Sequence, residues 1–260
     1  IDMLSDLYTN ENVIAIIGPL TQEEAPGAAI EAQNVKLPII TLSQKEHLTN
    51  IGDYVFRNFI TKSNQIDRLV RFARIHIGIK NFAILYPDHS HGKEFANLFW
   101  ESVEKYGGSI TSVESYEKDQ KDFGNELKKL NGTYYTDART DEICTETDRF
   151  KNKIKGLNCF SPDMLPPRIE FEALFIPDTY HTVSLIAPAL TFYNITGVQL
   201  LGINSLNHPD FISRSGEENI QGMLFPDMFF SESSTTNLKN FTNVYKKTFG
   251  NNPNLFSALG

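Results

Sequence analysis

The stretch from residue 82 to residue 116, FAILYPDHSHGKEFANLFWESVEKYGGSITSVESY, decides the fold. Phe82 to Pro87 is a short apolar run closed by a proline, where a strand must stop and turn. Beyond the polar Asp88-His89-Ser90-His91, the residues Phe95, Leu98, Phe99 and Val103 recur at helical spacing, so this helix buries one face. Gly107-Gly108 ends it, and Ser109 to Tyr116 follows as a second strand. Strand, helix and strand with so little chain between them make a βαβ unit, which implies a parallel sheet.

The same alternation extends in both directions. Strand candidates fall at Val13 to Gly18, Pro38 to Thr41, Glu172 to Pro177, Gln199 to Ile203 and Gly222 to Phe225. Ile66, Leu69, Val70, Phe72 and Ala73 predict a crossover helix, and Asp119 to Leu130 reads as another amphipathic stretch. Tyr54 to Phe59 and Gly222 to Asp227 read as extended crossings between two α/β lobes rather than as buried strands. That places 1–57 with 226–260 in lobe 1 and 58–225 in lobe 2. From Asn131 to about Arg168 the pattern lapses into a polar segment without clear period, containing Pro166-Pro167, and is read as a surface insertion.

Composition bounds the function. The chain has 260 residues, 40% of them hydrophobic, and 24 basic against 32 acidic side chains give a formal charge of −8. With 19 Phe and 10 Tyr it carries too many aromatics for general disorder. An acidic chain without a Lys/Arg stripe repels phosphate backbones, so no nucleic-acid partner is expected. No apolar run reaches the ~18 residues of a membrane span. Cys144 and Cys159, both in the insertion, either close a small disulfide loop in an oxidising compartment or remain free thiols in a reducing one.

No Walker A loop, G-x-G-x-x-G turn, G-x-S-x-G elbow or H-E-x-x-H helix is present, so no cofactor is indicated and the chain is not read as an enzyme. Asp88, His89 and His91 are metal-type ligands, yet no third histidine is near in sequence, and no metal site is assigned. Glu23 and Glu24 read as first-turn acids favoured by the helix dipole rather than an acid/base pair. Lys45 reads either as a ligand contact or as a surface lysine paired with Glu46. What the sequence does supply is polar loops at strand ends: Gly18 to Gln22, Leu42 to Lys45, Asp88 to Gly92, Asp178 to Tyr180 and Asn204-Ser205. Ligands gather at such ends in open α/β sheets, so these loops suggest a binding cleft without a paired nucleophile and base.

The runs VIAIIGPLTQEEAPGAAIEAQNVKLPIITLSQKE, GDYVFRNF and residues 82–130, followed by FEALFIPDTYHTVSLIAPAL, VQLLGINSLNHPDF and IQGMLFPDMFF, together resemble the type I periplasmic binding proteins of the leucine/isoleucine/valine-binding class. TLSQKE with YVFRNF, and ALFIPD with LFPDMFF, look closest to the bacterial penicillin-binding protein activator or transporter substrate-binding branch. The resemblance implies two Rossmann-like lobes of parallel sheet flanked by helices, closing on a ligand by hinge motion. Position by position it assigns a ligand-carboxylate loop to Thr21 and Gln22, and a second lobe 1 loop to Thr41, Ser43 and Lys45. In lobe 2 it places the covering aromatic at His91, the next contact at Thr179 or Tyr180, and the ammonium-binding acid at Asn204.

A neutral Asn204 in place of an acid, and the added charge of Lys45, argue against a simple branched-chain amino-acid receptor. They leave an anionic, sugar-like or peptide-like ligand, or none, with Asp178 able to restore some negative charge; the partner expected is a small polar ligand that is amino-acid, peptide-like or sugar-like in type. The implied partner is a membrane transporter, with the location periplasmic or cell-envelope and compatible with a lipid anchor on a segment outside this chain. The alternative is a non-enzymatic envelope regulator that binds a cell-wall synthase, with Tyr134, Tyr135 and Phe160 or the Met223 to Phe230 stretch as its interface. Against the family pattern, Ile1 to Asn12 looks like the tail of a helix and Asn254 to Gly260 stops within another, so lobe 1 is expected to be incomplete here.

Overall fold

The computed structural model describes residues 13–136, 138–139 and 166–259. The described residues form two compact units, one running to Gln65 and resuming at Asp227, the other from Ile66 to Pro226. Cys144, Cys159 and Phe160 lie outside the described residues.

The unit from Ile66 to Pro226 is built on a four-stranded, all-parallel sheet. Its strands are β4 (Asn81–Pro87), β5 (Ser109–Tyr116), β6 (Ala173–Phe175) and β7 (Gln199–Leu201), in the order β5-β4-β6-β7. Parallel strands need crossovers, and helices supply them: α3 (Ser90–Lys105) between β4 and β5, α4 (Gly124–Leu130) after β5, and α5 (Tyr180–Phe192) between β6 and β7. Two short helices, α6 (Asp210–Ser215) and α7 (Glu217–Ile220), follow β7.

Period-two alternation divides β4 between two cores. Ala83 and Leu85 join Leu127, Leu174, Val183 and Ile186 on one face. Phe82 and Ile84 join Phe95, Phe99, Val103, Phe175 and Leu201 on the other, where Phe99 stacks on Phe175 at 4.1 Å between ring centroids. Each buried Val, Leu, Ile or Phe among them contributes about 1.5–3 kcal/mol. Both faces of this sheet are covered, the condition for a stable parallel sheet.

The helix read from Ile66 to Ala73 is α2 (Lys62–Arg71), but it widens into π-helical turns over Phe72–Ile77. Phe72 is exposed although it was assigned to the buried stripe: at about 100° per residue it falls about 110° from the centre of the stripe formed by Ile66, Leu69, Val70 and Ala73. The amphipathic reading of Asp119 to Leu130 also needs correction. Only Gly124–Leu130 is helical, because Asp119 has φ 64° and Gln120 bridges the Glu117 amide and the Asp122 carbonyl as a turn.

The insertion leaves and rejoins the unit at one place. Arg168 N–H donates to the Asn131 carbonyl at 2.8 Å, while the buried Asn131 side chain donates to the Tyr193 carbonyl at 2.7 Å. A segment whose ends meet in this way adds chain without disturbing the sheet.

In the other unit, β1 (Ile16–Ile17), β2 (Ile39–Thr41) and β3 (Val55–Arg57) form a parallel three-stranded sheet in that order. The Tyr54 to Phe59 crossing is therefore corrected to a strand: Val55, Phe56 and Arg57 pair with Ile39, Ile40 and Thr41. The sequence is too short there to show alternation, and the β2 backbone supplies the missing partner. Gly222 to Phe225 fares the opposite way, reduced to a single bridge between Leu224 and Leu201.

Helix α1 (Ala25–Asn34) sets Ala29 and Ala32 against Ile39 and Val55. The opposite sheet face presents the row Ile17, Ile40 and Phe56, with Ile17 65% and Phe56 52% exposed. After Asp227 come α8 (Thr236–Phe249), which has no fully buried residue and carries a Phe241-Tyr245-Phe249 aromatic ladder, and α9 (Leu255–Leu259).

Candidate functional site

The order β5-β4-β6-β7 puts a topological switch point between β4 and β6, because the chain leaves β4 toward one edge and returns on its other side. Loops at the carboxyl ends of strands diverge there and leave room for a ligand. The two loops that flank it are Asp88 to His91, after β4, and Asp178 to Tyr180, after β6.

The first of these loops is fixed by its own backbone. Asp88 N–H donates to the Tyr116 carbonyl at 2.7 Å, and His89 caps α3 by accepting from Gly92 N–H at 3.2 Å through Nδ1. A side chain at 92 would collide with the Pro87 carbonyl oxygen, so the turn requires glycine. His91 is exposed and meets the Phe95 ring edge-on at 4.9 Å. Lys93 pairs with Asp88 at 2.5 Å. Among the described residues no group of three or more His, Cys, Asp or Glu is placed to hold a metal ion.

The second loop is organised by Asp178. Its Oδ2 accepts from the Tyr116 phenol at 2.6 Å, its Oδ1 accepts from Thr179 N–H at 2.6 Å, and its carbonyl accepts from the Ser205 hydroxyl at 2.8 Å. One residue thereby ties together the ends of β5, β6 and β7. Burial, reinforced by the Asp178 carboxylate, pushes the Tyr116 phenol well above its ordinary value, so it remains a donor at any working pH. Each Asp178 oxygen keeps a second lone pair, and the residue is partly exposed. Tyr180 is half-buried and stacks on His208 at 3.8 Å with the rings 6° apart. Asn204 opens the short 3-10 turn Asn204–Leu206 and is half-buried beside Ser205. His91, Thr179, Tyr180 and Asn204 thus all follow carboxyl ends of neighbouring strands in one sheet.

The strand-end loops of the smaller sheet differ in chemistry. Thr21 and Gln22 are exposed; the Thr21 hydroxyl accepts from Glu24 N–H at 3.3 Å and donates to the Glu24 carboxylate at 2.9 Å, a capping arrangement one turn ahead of α1. Thr41 and Ser43 are fully buried. The Thr41 hydroxyl donates to the Phe56 carbonyl at 3.2 Å, and the Ser43 hydroxyl accepts from Lys45 N–H at 3.2 Å. Both therefore shape the loop from beneath. Lys45 is exposed, and Glu46 accepts instead from the Ser63 amide and hydroxyl at 3.1 and 2.9 Å. Arg57 donates to the Lys45 carbonyl at 3.1 Å, which puts two cationic residues at the ends of β2 and β3.

Three residues of these loops escaped the reading of the sequence: Tyr116, His208 and Arg57. Tyr116 closes the alternating run SITSVESY, so its place at a strand end was visible, but its bond to a residue 62 positions away was not.

A family model described as periplasmic binding protein matches residues 2–133, just over half of the chain. No curated protein matches the sequence. Among solved structures, a putative branched-chain amino acid ABC transporter protein of Rhodospirillum rubrum is similar at 17% identity with a TM-score of 0.73, over 99% of this chain and 64% of that one. The branched-chain amino acid transporter substrate binding protein of Streptococcus pneumoniae, in complex with isoleucine, gives 20% identity and 0.61 over 99% and 64%. A solute binding protein of an ABC transporter from Rhodopseudomonas palustris, in complex with 3,4-dihydroxy benzoic acid, gives 19% and 0.60 over 99% and 61%. These likenesses establish the fold, and this chain spans about 64% of the length of the first of them.

Proposed function

Because the chain belongs to the periplasmic binding protein family, we propose that it is an extracytoplasmic solute-binding protein that captures a small polar ligand on its strand-end loops and delivers it to an ABC transporter. The observation that carries this reading is the Tyr116-Asp178-Ser205 network at the switch point, which pre-organises a carboxylate beside the Tyr180 ring stacked on His208. Pre-organised loops bind without the cost of ordering them.

The chemistry of the loops narrows the ligand class. Lys45 and Arg57 stand at one set of strand ends, and Asp178 with the aromatic Tyr180 and His208 at the other. A ligand with a cationic or donor-rich end, such as an amino acid or peptide-like solute, answers the Asp178 carboxylate and the Tyr180 ring. Asp178 then replaces the negative charge that Asn204 lacks. Partnership with a cell-wall synthase finds no support in the structural comparisons and is not proposed.

Thermal-shift screening of the whole chain against amino acids, short peptides and sugars tests this. Ligand at 100 times its Kd stabilises by about 2.7 kcal/mol, a visible change in Tm. A hit lost in Asp178→Asn and Tyr180→Ala but retained in the exposed Lys239→Gln is the expected result. A hit insensitive to both loop substitutions overturns the placement of the site, and silence across amino acids and peptides overturns the ligand class.

A further inference from the structure

A groove of about 320 Å³ opens between α3 and the β4–β5 edge of the larger sheet. Its floor is the row of Ile84 and Tyr86 on β4 with Val113 on the edge strand β5, and Ile84 and Val113 are register partners. Its wall is one stripe of α3, with Lys93, Asn97 and Trp100 at i, i+4 and i+7. The core-facing stripe of the same helix is Phe95, Phe99 and Val103, all buried, so the groove wall is a separate face.

Trp100, the only tryptophan of the chain, is 41% exposed, and Val113 is 37% exposed. Neither belongs to a core cluster. The indole N–H donates to the Glu104 carboxylate at 2.7 Å, one turn on. Indole has no other donor, so what Trp100 offers the groove is apolar ring surface. At the far end Lys93 carries an ammonium with three donors, held to Asp88 by an ion pair in which both side chains are about half exposed. Such pairs are worth little, about 0–1 kcal/mol, and a second carboxylate can share the ammonium. Asn97 adds an amide with two further donors. An apolar slot with a cation and an amide at one end is complementary to a ring bearing an acid.

We propose that this groove is a second small-molecule site, taking a planar aromatic carboxylate of about the size of benzoate. Its ring lies over Val113 and Tyr86 beside the Trp100 indole, with its carboxylate on Lys93 and Asn97. Its volume falls at the small end of ordinary ligand sites, about 300–1,000 Å³. The inference stands independently of the proposed transport function, since none of the strand-end loop residues assigned to the solute lines the groove.

The single tryptophan makes the test direct. In the 15N-labelled whole chain the one indole cross-peak reports on the groove while sodium benzoate is titrated to millimolar concentration. The expected result is a saturable shift, weakened about fivefold in Lys93→Gln, which corresponds to about 1 kcal/mol, and abolished in Val113→Glu. Benzyl alcohol, lacking the acid, is expected to bind the parent and Lys93→Gln alike. Lys93 is an exposed helix residue, so its replacement leaves the fold intact even if the Val113 change does not. A shift that never saturates, or equal benzoate affinity with and without Lys93, overturns the proposal. A shift that depends on protein concentration without benzoate also overturns it, because a second copy on the β5 edge is then the occupant.

Discussion

Two parallel sheets occupy the same chain, and they are covered to very different depths. The four-stranded sheet has a core on each face, with β4 contributing Ala83 and Leu85 to one and Phe82 and Ile84 to the other. The three-stranded sheet has a core of Ala29, Ala32, Ile39 and Val55 on one face only. Its other face shows solvent the row Ile17, Ile40 and Phe56, among the described residues. A parallel sheet draws its stability from burial on both sides, so local stability within one molecule follows coverage and not strand sequence.

The sharpest way to break this comparison is Phe175→Ala. Phe175 is fully buried against Phe99, and its loss costs about 3–5 kcal/mol in urea unfolding. A loss below about 1 kcal/mol means the larger sheet is not the better packed one. Ile39→Ala, in the smaller sheet, is expected at the low end of its class, about 2 kcal/mol, with the effect confined to hydrogen exchange of residues near β1 to β3. Faster exchange across β4 to β7 as well shows that the two units unfold together.

Tyr116→Phe removes the phenol from Asp178 and is expected to cost about 1–2 kcal/mol while loosening Thr179 and Ser205 in amide exchange. The parent phenol is held above its ordinary value, so its contribution is complete below about pH 10 and is lost only as the pH rises through the folded-state value. A phenol absorbance change at Tyr116 near pH 10, in folded protein, contradicts the buried bond.

Glu172 has a smaller effect. Its carboxylate accepts from the Asn81 and Lys80 amides at 3.0 and 2.7 Å, which holds its carboxyl below the usual range. A depressed carboxyl adds stability that is present above about pH 4.3 and disappears as the pH falls through the lower folded-state value. Glu172→Gln is expected to flatten that acid slope, read as Tm against pH; an unchanged slope removes Glu172 from the account. Smallest of all, Phe56→Ser on the uncovered face is expected to change stability by no more than about 0.5 kcal/mol. A large loss there shows that the row is covered in solution.

The larger unit was legible in the sequence because its elements are long enough to show their period. β4, α3 and β5 occupy most of residues 81–116, and each carries an alternation or a helical stripe that repeats. The smaller sheet was less so: β3 is three residues long, too short for a period, and was read as a crossing. Phe72 was misplaced because an apolar residue at the edge of a stripe is not thereby on its buried face. The strand-end positions of His91, Thr179, Tyr180 and Asn204 could be read from order and turn residues alone, whereas the burial of Thr41 and Ser43 beneath their loop could not.

Local order along the chain therefore determined the longer strands and helices and the loops at their ends, because propensity, periodicity and turn chemistry act between near neighbours. Only the tertiary structure decided that Asp178 is held by Tyr116 and Ser205, that Arg57 stands beside Lys45, and that Trp100 and Val113 line one groove. Those are meetings of residues far apart in the chain, set by how strands are ordered in the sheet, and no pattern of neighbours encodes that order.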